Sequence, residues 1–441
     1  MKRCIAMLIL LLALASLSST YAIAASGGMN SNNSIIAATE NPVILKNEVL
    51  LNRDSINYTE MRHIILRGTN EQIGKALGEI AMEDYNASLY SYADPIYAKA
   101  RLAYMQKNYP IFYERMVGLA EAYNVSLNST ELDLSILPYD VGSLLGCSMI
   151  YFPPSITSNG HAMSCRNLDY YAAPWEVILG RTNTSSQPSA YSRSFVLELY
   201  PIDGYSSLVV GSGDLMSPYI TQGFNSQGLA IDEQVDLNGS TTTTLVPVDR
   251  NSGISAWIAE RMILDTCKNI DEAKMVLLNN RIYFGPEGVH FMIYDKYGNS
   301  TIAEFSPEDD SVHFTDGPDS LRIMTNHQVA KYPIIDTFPK LDASISYYDS
   351  FMRYKTLTNI TSNHKGKFTP QDMVDALGSV NAELTYKSMK LRTLTNLLLD
   401  LTNSTVSARF YLRDGPTDPV IGGPTNIFSR FFNFTLEKAP A

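Results

Sequence analysis

The hydrophobic pattern of this chain changes period at Gly146, and that change limits what the chain can fold into more than any other feature. Before it, between Gly68 and Tyr123, apolar residues recur at three- and four-residue spacing: Ile73, Leu77 and Ile80, then similar stripes through 97–105 and 111–122. Such spacing predicts amphipathic helices. After it come short strand-like runs at 148–152, 161–167, 194–200, 206–211 and 228–233. Two helical stretches, 255–267 and 270–278, precede further strands at 290–295, 300–305, 312–314 and 323–326. Residues 344–358 and 370–376 read as helical, and strands near 408–412 end the pattern. Blocks of strands, paired helices and more strands predict an α+β fold, with helices layered on antiparallel sheet.

The N-terminus places Met1-Lys2-Arg3 before an apolar stretch reaching Leu17, then small residues ending in Ala22-Ile23-Ala24. Charge, short apolar core and a small-x-small site form the order of a secretory signal, so 1–24 is expected to be removed and the protein exported. No later stretch approaches the length of a transmembrane span, so no integral membrane span is expected. Asn-x-Ser/Thr triplets recur from Asn32 to Asn433, as on a glycosylated exterior protein. Residues 25 to about 55 lack periodicity and read as a flexible leader. A net charge of -11 disfavours nucleic acid or an anionic membrane as the main partner, which leaves a small-molecule or peptide substrate.

Three cysteines remain once Cys4 leaves with the signal: Cys147, Cys165 and Cys267. An odd number leaves at least one thiol without an internal partner in an oxidising compartment. Familiar catalytic signals are missing: Gly211-Ser212-Gly213 lacks a full Gly-x-Ser-x-Gly elbow, and no glycine-rich loop ends in Lys-Ser/Thr. The six histidines are scattered without metal-ligand spacing, and neither metal nor cofactor is expected.

What stands out is Gly146-Cys147-Ser148, followed by Asn159-Gly160 and then Cys165-Arg166-Asn167-Leu168-Asp169. Asn-Gly between two strand-like runs signals a hairpin, which would fold Arg166 and Asp169 back beside Cys147. A guanidinium beside a thiol favours thiolate, and a carboxylate can orient or share protons with an amine. The same spacing allows a Cys147–Cys165 disulfide across the hairpin, with Arg166 and Asp169 as a surface ion pair.

At these residues the chain resembles the penicillin acyltransferase-like (acyl-CoA:6-aminopenicillanic acid acyltransferase) family of N-terminal nucleophile hydrolases, with choloylglycine hydrolase, penicillin V acylase and acid ceramidase as more distant relatives. Gly68-Thr69 through Gly74 and Gly78 is similar to the family's opening helix, where small residues four apart permit close packing. Gly-Cys-Ser, Asn-Gly and Arg-Asn-Leu-Asp resemble its cleavage point and following signature. Thr325-Asn326-His327 and Ser350-Phe351-Met352-Arg353 look like its Thr-Asn strand end and Ser-x-x-Arg. One departure lies after Gly228-Leu229-Ala230, where the family's Asn or Tyr is replaced by Gln234 and Val235.

The resemblance implies a four-layer αββα fold with two stacked antiparallel sheets. It implies self-cleavage of the Gly146-Cys147 bond, separating a mostly helical 25–146 segment that stays packed against a catalytic chain, 147–441. Cys147 would be the nucleophile and its freed amine the base, with Asp169 holding that amine and Arg166 beside the thiol. Asn326 would donate to the oxyanion, Arg353 would complete the catalytic set and Gln234 would contact substrate. The reaction implied is hydrolysis or acyl transfer at amide bonds of small N-acyl compounds through a thioester. Two other readings stay open: an exported binding protein retaining the fold, and a hydrolase of N-acyl lipids.

Overall fold

The computed structural model describes residues 43–91, 94–134, 146–178, 182–183, 188–213, 215, 220–236, 253–283, 288–306, 311–339, 349–386, 389–419 and 422–437. The expected signal (1–24), the segment leading into Gly146 and residues 344–348 of the expected helix lie outside them. Pro42–Ala441 cluster as one compact unit.

Along the chain run β1 (Ile44–Leu51), β2 (Glu60–Gly68), α1 (Asn70–Tyr85), β3 (Tyr90–Ser91), α2 (Pro95–Asn108), α3 (Pro110–Ala122) and β4 (Leu132–Asp133). Then come β5 (Gly146–Phe152), β6 (Met163–Tyr171), α4 (Trp175–Ile178), β7 (Arg193–Pro201), β8 (Ser207–Ser212), β9 (Ile220–Asn225) and β10 (Leu229–Asp236). After β11 (Ile254–Ser255) follow α5 (Ala256–Thr266), α6 (Ile270–Asn279), β12 (Ile282–Tyr283), β13 (Gly288–Asp295), β14 (Ser300–Ser306), β15 (Ser311–Asp316) and β16 (Arg322–Met324). The chain ends with α7 (Ser350–Asn363), α8 (Pro370–Gly378), β17 (Glu383–Tyr386), β18 (Met389–Asp400), β19 (Thr405–Thr417), β20 (Pro424–Phe428) and β21 (Phe432–Thr435).

Two large sheets result, one ordered β1-β2-β7-β8-β9-β10-β13-β14-β15 and one ordered β16-β5-β6-β18-β19-β20, with β17 on β18 and β21 on β19. Alternation within the strands sorts their apolar residues into layers. Ile64, Leu197, Val209, Ile231 and Phe291 of the nine-stranded sheet pack with Ile73, Met116 and Ile263 of the helices on its outer side. Val196, Leu208, Phe224 and Met292 of the same sheet meet Met149, Tyr151 and Leu397 of the other. Ile150, Cys165 and Ile323 on that second sheet's far side meet Leu357, Met373 and Leu377 of α7 and α8. Helix, sheet, sheet and helix form four layers of an α+β fold, as expected. Among the described residues, no helix is long and apolar enough to cross a membrane.

Two expectations need correction. Residues 44–51, expected in a flexible leader, form β1, and β2 carries the leading segment into the middle of the core; Met61, Ile64 and Leu66 are fully buried. Nor are the sheets wholly antiparallel, since β2 runs parallel to β7 from Glu60↔Arg193 to Gly68↔Pro201. The opening helix behaves as its composition requires. Thr69 and Gln72 close a capping box on α1. At Gly74 a Cβ would fall 2.0 Å from the Arg115 carbonyl oxygen, and at Gly118 one would fall 1.8 Å from that of Glu71. Only glycine lets α1 and α3 approach so closely.

Candidate active site

The antiparallel hairpin expected around Cys147 is present, pairing Gly146↔Asp169, Cys147↔Leu168, Met149↔Arg166 and Ile150↔Cys165. Its connection is longer than a tight turn: residues 153–162 include a 3₁₀ turn at Pro154–Ile156, and Gly160 supplies φ +71°. Because side chains alternate, Cys147, Met149 and Arg166 face the nine-stranded sheet, while Cys165, Asn167 and Asp169 face α8. Cys147 and Cys165 therefore point to opposite faces and are both free, which removes the disulfide alternative. Cys267 is also free and lies in the helical layer with α5, so it has no route to Cys165.

Cys147 is fully buried. Arg166 reaches it from β6, its Nη2 standing 3.3 Å from Sγ and donating to the Glu233 carbonyl at 2.6 Å. On the same edge, Arg166 Nε lies 3.3 Å from Asp232 Oδ1, a buried ion pair. Burial pushes the thiol above its ordinary range, Arg166 opposes that rise, and Asp169 and Asp232 add to it.

The backbone of Cys147 is held from the other side. Its N–H donates to Asn326 Oδ1 at 2.9 Å, and the Asn326 amide donates to the Val235 carbonyl at 2.8 Å. Strand β16 pairs with β5 from Arg322↔Tyr151 to Met324↔Met149, which brings Asn326, two residues on, level with Cys147. Arg353, one turn into α7, donates from Nη2 to Asn326 Oδ1 at 2.6 Å and from Nη1 to Ser148 Oγ at 2.7 Å. The same Nη1 also donates to the Cys147 carbonyl. Asp349 caps α7, and Ser350 Oγ accepts from the Asn326 N–H at 2.8 Å and meets His327 Nδ1 at 2.8 Å. Burial holds the His327 imidazole neutral, its pKa lowered to about 3.

Asp169 stands in register with Gly146, and its Oδ1 accepts from Thr393 Oγ1 at 2.5 Å. Gln234 is 1% exposed, in register with His290 on β13. Arg166 thus reaches the Cys147 thiol and Asn326 and Arg353 its backbone, while Asp169 lies beside Gly146 on the other face of the hairpin and Gln234 on the strand that Arg166 reaches. Asn326 is engaged with the Cys147 nitrogen and the Val235 carbonyl, a different set of contacts from the expected oxyanion.

Sequence reasoning missed Ser148, Thr393 and an acidic group beneath Arg166. Asp232, Glu233 and Glu260 are all buried. Burial drives their carboxyls up, to about 7 for Asp232 and about 8 for Glu233, and well above the ordinary range for Glu260. The available signal was Asp232-Glu233-Gln234 directly after the apolar run Leu229-Ala230-Ile231.

No curated protein matches the chain. Among solved structures, penicillin V acylase from Agrobacterium tumefaciens is 14% identical, with 64% of this chain and 86% of that one covered at a TM-score of 0.41. A mutant conjugated bile acid hydrolase from Clostridium perfringens is 13% identical, covering 66% and 97% at a TM-score of 0.43. A Caenorhabditis elegans N-acylethanolamine-hydrolyzing acid amidase ortholog is 12% identical, covering 58% and 93% at 0.35. Residues 174–412 match the family described as acyl-coenzyme A:6-aminopenicillanic acid acyl-transferase. The matched stretch begins after the Cys147 hairpin, takes in Gln234, Asn326 and Arg353, and spans more than half of the sequence. On that match, the chain belongs to the acyl-coenzyme A:6-aminopenicillanic acid acyl-transferase family.

Proposed function

We propose that the protein cleaves itself between Gly146 and Cys147 and then uses Cys147 as an N-terminal nucleophile on amide bonds of small N-acyl compounds. The observation that carries this reading is the pair of contacts on one residue: Arg166 Nη2 at 3.3 Å from Sγ, and Asn326 Oδ1 at 2.9 Å from the backbone nitrogen. In self-cleavage the thiolate attacks the Gly146 carbonyl, a thioester forms as the carbon–nitrogen bond breaks, and the nitrogen takes up a proton. Water then hydrolyses the thioester, leaving a Gly146 carboxylate and a free Cys147 amine. An α-amine with a pKa of about 7.7 to 8.0 can act as base near neutral pH. Substrate follows the same path: the thiolate takes the acyl group, the amine leaves with a proton, and water or a second amine resolves the thioester.

The leading segment stays bound after cleavage in this reading. Support comes from β2, inserted between β1 and β7, and from Arg115 on α3, which pairs with buried Asp265 of α5 at 2.6 Å. Export and glycosylation are part of the proposal, consistent with the exposure of Asn86, Asn124, Asn299, Asn403 and Asn433, each of which begins an acceptor triplet. Substrates with an apolar acyl chain, N-acyl lipids included, are favoured by the aromatic surroundings of Cys147, where Tyr170, Tyr191 and Tyr411 are buried and Tyr58, Trp257 and Phe428 pack against them.

Intact-mass and N-terminal analysis of the exported protein tests the proposal. A fragment beginning at Cys147, about 33 kDa before glycan as its share of the 48.9 kDa chain, is expected from the wild type and not from Cys147→Ala. An uncleaved wild-type chain would overturn the proposal. Turnover of N-acyl amino acids against N-acyl lipids then separates the substrate classes.

A further inference from the structure

We infer that Asp232 is the counter-ion of Arg166: from the opposite sheet, through a buried ion pair, it sets how much of the guanidinium's positive charge reaches the Cys147 thiol. The inference rests on the reading of Cys147 as nucleophile. Arg166 crosses the gap between the sheets on a long side chain, and its Nε and Nη2 share one edge of the planar guanidinium, so the carboxyl and the thiol meet the same edge. Asp232 Oδ1 stands 3.3 Å from Nε, and Nη2 then reaches both the Glu233 carbonyl at 2.6 Å and Cys147 Sγ at 3.3 Å. Arg166, Asp232 and Cys147 are each 0% exposed, so their charges act through a medium far less screening than water.

The consequence for the thiol depends on the charge Asp232 carries. Ionised, it offsets Arg166 and disfavours thiolate; protonated, it leaves more of the guanidinium's charge to act on the thiol. Other titratable groups surround the carboxyl: Glu233 on its own strand, His290 and Tyr294 on β13, Glu260 on α5, and Cys147 and Cys165 on the hairpin. Arg166 and His290 are the cations among them, and both favour ionisation. Burial outweighs them and brings the change of charge to about pH 7. As pH rises through that point, the new carboxylate opposes thiolate formation, and the rate climbs less steeply than a lone thiol would give.

The test is the pH profile of self-cleavage, measured from pH 5 to 9 by gel on full-length chains made by cell-free synthesis, with circular dichroism confirming the fold. Asp232→Asn keeps the size of the side chain but removes its charge, so its acid limb should move to lower pH by about one unit or more. Asp232→Ala removes the same charge and should move the limb in the same direction. The isosteric Asn variant carries the test if the Ala variant fails to fold. An Asp232→Asn profile superposed on the wild type overturns the inference while leaving Cys147 as nucleophile. Cleavage persisting in Cys147→Ala, or absent from the wild type, removes the catalytic reading and this inference with it.

Discussion

The two faces of the β5–β6 hairpin are built on different terms. On the face toward α8, Asn167 donates to the Leu377 carbonyl at 3.1 Å, Asp169 accepts from Thr393 at 2.5 Å, and Cys165 Sγ approaches the Met373 carbonyl at 3.5 Å. Arg353 joins them from α7, gripping Ser148 and the Cys147 carbonyl. On the face toward the other sheet, one guanidinium serves the thiol and a carboxyl displaced from its ordinary range, with two more such carboxyls beyond. The outer face holds the Cys147 backbone in place; the inner face holds its charge. Substitutions on the outer side should therefore lower the height of a pH–rate profile, and those on the inner side should move it along the pH axis.

Arg353→Ala should have the largest effect. It strips a donor from Asn326 Oδ1, from Ser148 and from the Cys147 carbonyl at once, all fully buried. Losing buried charge-assisted hydrogen bonds costs about 3 kcal/mol, so self-cleavage should fall about a hundredfold or more with its pH midpoint unchanged. A displaced midpoint would break the division between the faces. Arg166→Lys is the inner counterpart. An ammonium keeps the charge but cannot serve Sγ, the Glu233 carbonyl and Asp232 together. Cleavage near neutral pH should fall about tenfold and the acid limb should move upward, as a pH series by gel would show.

This division was half legible in the sequence. The outer anchors were, because Asn326 and Arg353 sit in short motifs and because Asn-Gly announces a hairpin whose register follows from alternation. Helices α1, α2 and α3 were also readable from their spacing and from Gly74. Strand β2 was not: Glu60-Met61-Arg62-His63 carries three polar side chains, and what buries two of them is tertiary, namely Arg62 against Asp84 and His63 against Glu198. Strand β18, Met389–Asp400, was overlooked for the same reason, since Arg392 and Asn396 are buried by partners distant in sequence. The inner charge cluster arises only where β6, β10 and α5 meet, and a linear reading has no means of placing Glu260 beside Glu233.

Glu260→Gln sharpens the comparison through stability. Burial raises both Glu260 and Glu233, the latter to about 8. A carboxyl whose folded pKa lies above its unfolded value contributes most at low pH, below the unfolded pKa, and its contribution declines as pH rises to the folded pKa. The wild type should therefore lose stability from about pH 5 to 8, and removing one of the two acids should flatten that decline. Calorimetry at pH 5, 6.5 and 8 should show a Tm drop smaller by about 2 °C or more in the variant. Equal slopes would mean that the pair does not stay protonated in the folded state.

Cys165→Ala should have the smallest effect and gives the cleanest separation of the faces. Its side chain is 1% exposed among Ile150, Met373 and Leu377, and its thiol is driven far above the ordinary range by burial, so it packs as a small apolar group. Trimming it leaves a cavity smaller than a methylene-rich side chain would, at a cost of about 1 kcal/mol, read from the midpoint of urea unfolding. The self-cleavage profile should superpose on that of the wild type in both height and midpoint. Cys147 on β5 and Cys165 on β6 share one hairpin and one chemistry, yet alternation sends one toward Arg166 and the other toward the apolar face of α8. A tenfold loss of cleavage in Cys165→Ala would mean that packing against α8 transmits to the inner face, and the separation of position from charge would fail.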